Sequence, residues 1–115
     1  MTMERRRLGI RGESLAAAWY EARGYRVVVR NWRSGRGELD LVLRRGQTLV
    51  FCEVKTRRTL AFGSPALAVG RDKQEQLRSL AVRFLAALPQ RGVRRLRFDV
   101  ACVVGDDVEV IEAAF

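Results

Sequence analysis

The chain predicts an α/β fold in which a mixed sheet of about five strands is flanked by helices, in the order α-β-β-β-α-β-β. Two apolar stripes at helical spacing, near the start and past the middle, supply the helices. Five valine- and leucine-rich runs bounded by glycine-containing turns supply the strands. At 115 residues the chain is long enough for one domain with its own core and too short for two.

The first helix is expected from about residue 8 or 12 to residue 22, with Leu15, Ala18, Trp19 and Ala22 as its buried stripe. Gly24 is placed to end it in the left-handed conformation. Residues 25–31 read as a strand, and Ser34-Gly35-Arg36-Gly37 as a turn. Residues 38–43 and 48–56 form an expected antiparallel hairpin around Arg45-Gly46. Residues 57–64 read as a loop. Ser64-Pro65 then suits a helix start, with a short turn reaching Val69. The second long helix is expected over about 72–88, with Leu77, Leu80, Ala81, Phe84, Leu85 and Leu88 facing the core. Residues 96–104 and 108–111 complete the sheet.

The composition narrows the chemistry. There is no histidine, which removes histidine bases, Ser-His-Asp triads and histidine metal sites together. Cys52 and Cys102 sit in apolar runs and read as buried hydrophobes in a reducing compartment. The basic N-terminus lacks a signal-peptide core, and no run has the length of a membrane span, so a cytoplasmic location is expected. A net charge of +9 points to a polyanionic partner, with nucleic acid first.

Acids and an amine interrupt the two hairpin strands. Glu38 and Asp40 lie on one, and Glu53 and Lys55 on the other. Buried charge is costly without a partner, so these positions read as a site. If the turn centres near Arg45-Gly46, positions summing to about 91 lie opposite one another. Asp40 then faces Phe51, Glu38 faces Glu53, and Asp40 and Glu53 are diagonal neighbours on one sheet face, with Lys55 beside them. Such carboxylates suit Mg²⁺ or Mn²⁺, which take oxygen ligands and keep several waters. Lysine supplies an amine able to orient or deprotonate water. The chain has 20 arginines and two lysines, Lys55 and Lys73, which makes a lysine within a strand a marked choice.

Other residues carry blander readings beside functional ones. Glu13 suits the start of a helix, where an acid helps the dipole. Arg57 and Arg58 leave the Lys55 strand directly and are placed to hold a phosphate backbone. Lys73, Arg11 and Arg36 are further candidate contacts to nucleic acid. Trp32 is assigned to the core rather than to base stacking, and Asp99 to a salt bridge with arginine.

Taken in order, Gly12-Glu13, Ala16, Gly24-Tyr25, Asn31-Trp32-Arg33, Gly37-Glu38-Leu39-Asp40-Leu41, Phe51, Glu53-Val54-Lys55, Arg57, Phe62-Gly63, Lys73, Arg97-Phe98-Asp99-Val100 and Ala114-Phe115 resemble the YraN-like family. These are small bacterial proteins assigned to the PD-(D/E)XK nuclease superfamily, similar in core layout to archaeal Holliday junction resolvases. The resemblance spans nearly the whole chain. It implies a restriction-endonuclease-like core, with Asp40 as the metal aspartate, Glu53 as the acid of the (D/E)XK motif and Lys55 as its lysine. It also implies that Glu13 completes the metal site. Leu39 stands where the superfamily pattern has proline.

The expectation is a Mg²⁺- or Mn²⁺-dependent endonuclease acting on DNA ahead of RNA, possible substrates being branched or damaged structures. A resolvase-like role calls for a homodimer, with Phe62 as a candidate contact. The rivals are a nucleic-acid-binding module that keeps the fold without turnover, and a scaffold whose basic face binds an acidic partner.

Overall fold

A computed structural model describes residues 2–57 and 69–115. The elements are α1 (Met3–Glu21), β1 (Arg26–Ser34), β2 (Gly37–Arg45), β3 (Thr48–Arg57), α2 (Arg71–Ala87), β4 (Arg95–Val104) and β5 (Asp107–Ile111). The expected order α-β-β-β-α-β-β is the observed one. The sheet runs β1-β2-β3-β4-β5, antiparallel throughout except for the parallel β3–β4 pair. Parallel neighbours need a long crossover, and α2 lies within it. The short turn expected over residues 64–69, Arg58 and Phe62 fall largely or wholly outside the described residues.

α1 begins earlier than the apolar stripe suggests, because Thr2 caps it: its hydroxyl accepts the Arg5 N–H at 3.2 Å. Its buried face also differs from the expected one. Gly12, Ala16, Ala17 and Tyr20 are buried, Leu15 and Trp19 are half-buried, and Ala18 and Ala22 are exposed. The reason is close approach. A Cβ at Gly12 would lie 2.1 Å from Thr56 Oγ1, so small residues let the helix settle onto the sheet.

The two helices cover opposite faces. Under α1 lie Leu41, Leu43, Val50, Cys52, Ala101 and Val103. Under α2 lie Leu39, Val42, Leu49, Phe51 and Val100, packed on Leu77, Leu80, Ala81 and Phe84. The α2 stripe is therefore as expected except at Leu88, which lies past the helix and is exposed. Trp32 packs edge-on to Phe84 at 5.4 Å, in the core as expected. Cys52 and Cys102 are both buried and free.

The hairpin register differs from the expected one. Arg45 pairs with Thr48 and Leu41 with Cys52, so Gly46-Gln47 is the loop and partner numbers sum to 93. Gly46 takes a positive φ of 59°, which a two-residue hairpin turn requires and glycine adopts without strain. The offset from the expected register is two residues, and it brings Asp40 level with Glu53.

Asp99 is buried in β4 and paired with arginine, as expected. Arg97 donates to both of its carboxylate oxygens at 2.9 Å. The Tyr20 hydroxyl donates at 2.6 Å and the Ala113 N–H at 3.0 Å. Burial, then the nearby Cys52 and Asp99, push the Tyr20 hydroxyl well up, so it remains a donor. This one carboxylate ties α1, β4 and the chain end together. Among the described residues, no helix is long and apolar enough to cross a membrane.

Candidate metal centre

The site forms where β2 and β3 part. Their ladder ends at Leu41–Cys52. Beyond it, Asp40 Oδ2 accepts the Val54 N–H at 2.8 Å, so a side chain replaces the next strand contact. The pleat of β2 slips at the same place. Leu39 packs in the α2 layer and Leu41 in the α1 layer, although residues two apart should share a face. Asp40 thereby lies in the seam between strands.

The slip has a counterpart in β1. Arg30 pairs with Leu41 and Trp32 with Leu39, leaving Asn31 level with Asp40. Asn31 has φ of 50°, a left-handed conformation that asparagine tolerates better than most residues. Its amide donates to Glu13 Oε2 at 2.9 Å and so fixes the acid that α1 brings over the seam.

The carboxylates fall into two groups. Glu13, Glu38 and Asp40 each offer an oxygen within 4.8 Å of the other two. Glu38 is also held by Arg33 Nε at 3.1 Å. Glu53 stands apart. It alternates with Cys52 and Val54, which pack in the α1 layer, so it leans toward α2. There Lys55 Nζ lies 3.6 Å and Lys73 Nζ 3.9 Å from its Oε1. The expectation that Glu38, Asp40, Glu53 and Lys55 share one flat face is thus corrected: the site straddles the seam, with the pleat slip as the cause.

The electrostatics show an unmet need for positive charge. Burial, then Glu53, Glu13 and Glu38, push the Asp40 carboxyl up to about 7, against the lowering effect of the Val54 hydrogen bond. Glu13 is raised as well, by burial first and then by Glu38 and Glu53, with Asn31 and Arg30 opposing. Glu53 is 7 % exposed, and its Oε2 is buried with no hydrogen-bond partner among the described residues. Orphaned buried oxygens are rare and call for an explanation. A hard divalent cation suits a donor set made of carboxylate oxygens alone. Glu13, Glu38 and Asp40 lie close enough together to hold one, and Glu53 adjoins them on the α2 side.

The remaining candidates are more scattered. Lys73 sits in the first turn of α2, at Glu53. Arg57 is exposed at the end of β3, its guanidinium donating to the Thr56 carbonyl at 3.1 Å. Arg36 is exposed in the β1–β2 turn, and Arg11 is exposed and paired with Asp106 in the β4–β5 turn. Arg58 lies outside the described residues. A cleft lined by Arg6, Ile10, Glu13, Asn31 and Arg33 opens beside the carboxylate trio. Sequence reasoning placed Glu38 near the site without making it a ligand, and missed the role of Asn31. The E-x-D spacing was the available signal for Glu38. For Asn31 there was none beyond its place in Asn31-Trp32-Arg33.

Comparison with known proteins gives a consistent result. The profile described as "Uncharacterised protein family UPF0102" matches residues 12–103, which include Glu13, Asn31, Glu38, Asp40, Glu53, Lys55 and Lys73. A UPF0102 protein of Beutenbergia cavernae is 54% identical over 97 residues, covering 84% of this chain and 81% of its own. One of Desulfosudis oleivorans is 41% identical over 117 residues, covering 100% and 94%. One of Moorella thermoacetica is 44% identical over 121 residues and covers 100% of both chains. The chain belongs to the UPF0102 family, which is the YraN-like family.

Proposed function

We propose that this protein is a metal-dependent endonuclease that hydrolyses phosphodiester bonds in DNA, with branched or damaged DNA as the substrate class. The observation that carries the reading is the seam between β2 and β3. Three carboxylates converge there, and a fourth, Glu53, keeps a buried oxygen unpartnered beside two lysines. The resemblance of Asp40, Glu53 and Lys55 to the PD-(D/E)XK motif supports the same chemistry.

Mg²⁺ or Mn²⁺ held by these carboxylates would supply a Lewis acid for a phosphate oxygen and a more acidic water. The chain's own groups do the rest. Lys55 carries the amine that orients the attacking water and offsets charge on the phosphate as it becomes pentavalent. Lys73, from the first turn of α2, approaches the same Glu53 oxygen as Lys55 and helps to hold that side chain in place. Asn31 holds Glu13 toward the seam. Arg6 and Arg33 line the adjoining cleft, where guanidiniums suit phosphate oxygens. The net charge of +9 favours encounter with a polyanion.

The test is a cleavage panel of linear duplex, single strand, flap, four-way junction and RNA, with Mg²⁺ or Mn²⁺ against chelator. Metal-dependent cutting of at least one DNA form is expected, lost in Asp40→Asn and Lys55→Ala. Salt-sensitive binding with no cutting of any form would leave the binding-module reading in its place. Indifference to all of them would favour the scaffold reading.

A further inference from the structure

The opposite end of the sheet carries a second concentration of positive charge. The β2–β3 hairpin loop, Gly46-Gln47, is bordered by Arg44 and Arg45 on one side and by Arg94 and Arg95 on the other. Arg26 is the register partner of Arg44 across β1, and Thr48 is the partner of Arg95. Arg91 reaches the same rim, because its carbonyl accepts from the Arg44 guanidinium at 2.5 Å. Six arginines are thus placed at this end of the sheet. None has a carboxylate within 4.0 Å among the described residues, whereas Arg11, Arg33 and Arg97 each have one.

The rim is also built rather than loose. Arg44 Nε donates to the Gly46 carbonyl at 2.9 Å. Arg45 donates to the Arg23 carbonyl at 3.2 Å and lies 4.3 Å over the Tyr25 ring. The Gln47 carbonyl accepts both the Arg94 and the Arg95 N–H, at 2.9 and 3.1 Å, pinning the β4 entry to the hairpin. Gln47, Thr48, Arg94 and Arg95 then line an open polar pocket. Arg44 and Arg45, whose guanidiniums are held by these contacts, lose less freedom when an anion binds, while the backbone carrying Arg94 and Arg95 is pinned in place.

We infer that this rim is a second binding surface for the phosphate backbone of nucleic acid, separate from the metal centre. The inference rests on the proposed action on nucleic acid and adds where a further stretch of that substrate is held. Five residue steps along β3 separate Glu53 from Thr48, about 17 Å of strand. That equals about five base steps along a strand at 3.4 Å each. The backbone held at the rim is thus not the phosphate being cut, but a neighbouring stretch or another arm.

The experiment compares binding of a 30-base-pair duplex in chelator across a salt series. Arg94→Gln/Arg95→Gln removes two rim charges. Arg78→Gln/Arg83→Gln removes two from α2 and serves as the equal-charge control. Each lost phosphate contact lowers the slope of log K against log salt by about 0.9. The rim double variant is expected to lose about two units of slope, and the control less than about one. Circular dichroism and melting confirm that both are folded. If the parent binds and cuts DNA while the rim variant keeps the parental slope, the rim assignment is wrong and the nuclease reading stands. If the parent shows no salt-dependent binding to any nucleic acid, both are wrong.

Discussion

Asp40 sets the sign of the pH response at the site. Its carboxyl sits at about 7 against an ordinary value of 3.8, burial being the main cause. Between these values the unfolded chain gives up the proton while the folded chain retains it. Stability without metal therefore falls as pH rises through that window and stays low above it. Glu13, also raised, acts in the same direction. In chelator, the parent is expected to lose a few degrees of melting temperature between pH 5 and pH 8, and Asp40→Asn to lose clearly less. Equal pH dependence in both proteins would refute this account of Asp40. Asparagine keeps an oxygen for the Val54 N–H, so the seam itself survives the change. Asn31 invites a second test. Groups that orient a metal ligand typically contribute 10–100-fold to metal affinity or activity. Asn31→Gly keeps the left-handed backbone and removes the amide that holds Glu13. Weaker Mn²⁺ binding by about that factor, measured calorimetrically with the melting temperature little changed, is expected. Unaltered Mn²⁺ affinity would assign Asn31 to the turn alone.

At the scale of elements, the placement of Glu13 depends on how closely α1 meets β3. Gly12 lies directly against Thr56, and a methyl group there meets that short, β-branched side chain rather than the far end of a flexible one. Gly12→Ala should lower stability by about 1–3 kcal/mol through overpacking. Thr56→Ala in the same chain should recover part of that loss, and strictly additive effects in denaturant titrations would contradict the contact. This seating explains what the sequence made legible about α1 and what it hid. The apolar stripe of Leu15, Ala18, Trp19 and Ala22 marked a helix correctly. It could not show that two alanines and a glycine form the tighter contact, because periodicity weighs hydrophobicity and not approach distance. The α2 stripe was legible because its large residues, Leu77, Leu80 and Phe84, are themselves the core. The hairpin was legible as a hairpin, but its register depended on which two residues form the turn. A glycine at either loop position reads alike in sequence, and only the observed pairing of Arg45 with Thr48 places it first.

Across the whole molecule, the order of elements and the mixed sheet could be read from patterning, since helices and strands carry different apolar periods. The site was half legible. Asp40, Glu53 and Lys55 stood out as charges within apolar runs. What stayed hidden was the slip of the β2 pleat, which a strict two-residue alternation excludes, and with it the separation of Glu53 from the trio around Asp40. Glu38 and Asn31 gain their places only from that irregularity. The molecule has one end rich in carboxylates and the other rich in arginines, a division that suits a long anionic substrate. Lys55 tests the central claim with least disturbance, since it is half-buried and its removal leaves the four carboxylates intact. The decisive measurement is the initial rate of DNA cleavage in Mn²⁺ by the parent and by Lys55→Ala at equal metal occupancy. The account predicts a metal-dependent rate in the parent and a loss of about 10²–10⁴-fold in the variant. Equal rates in the two proteins, or no cleavage by the parent on any DNA form, would contradict it.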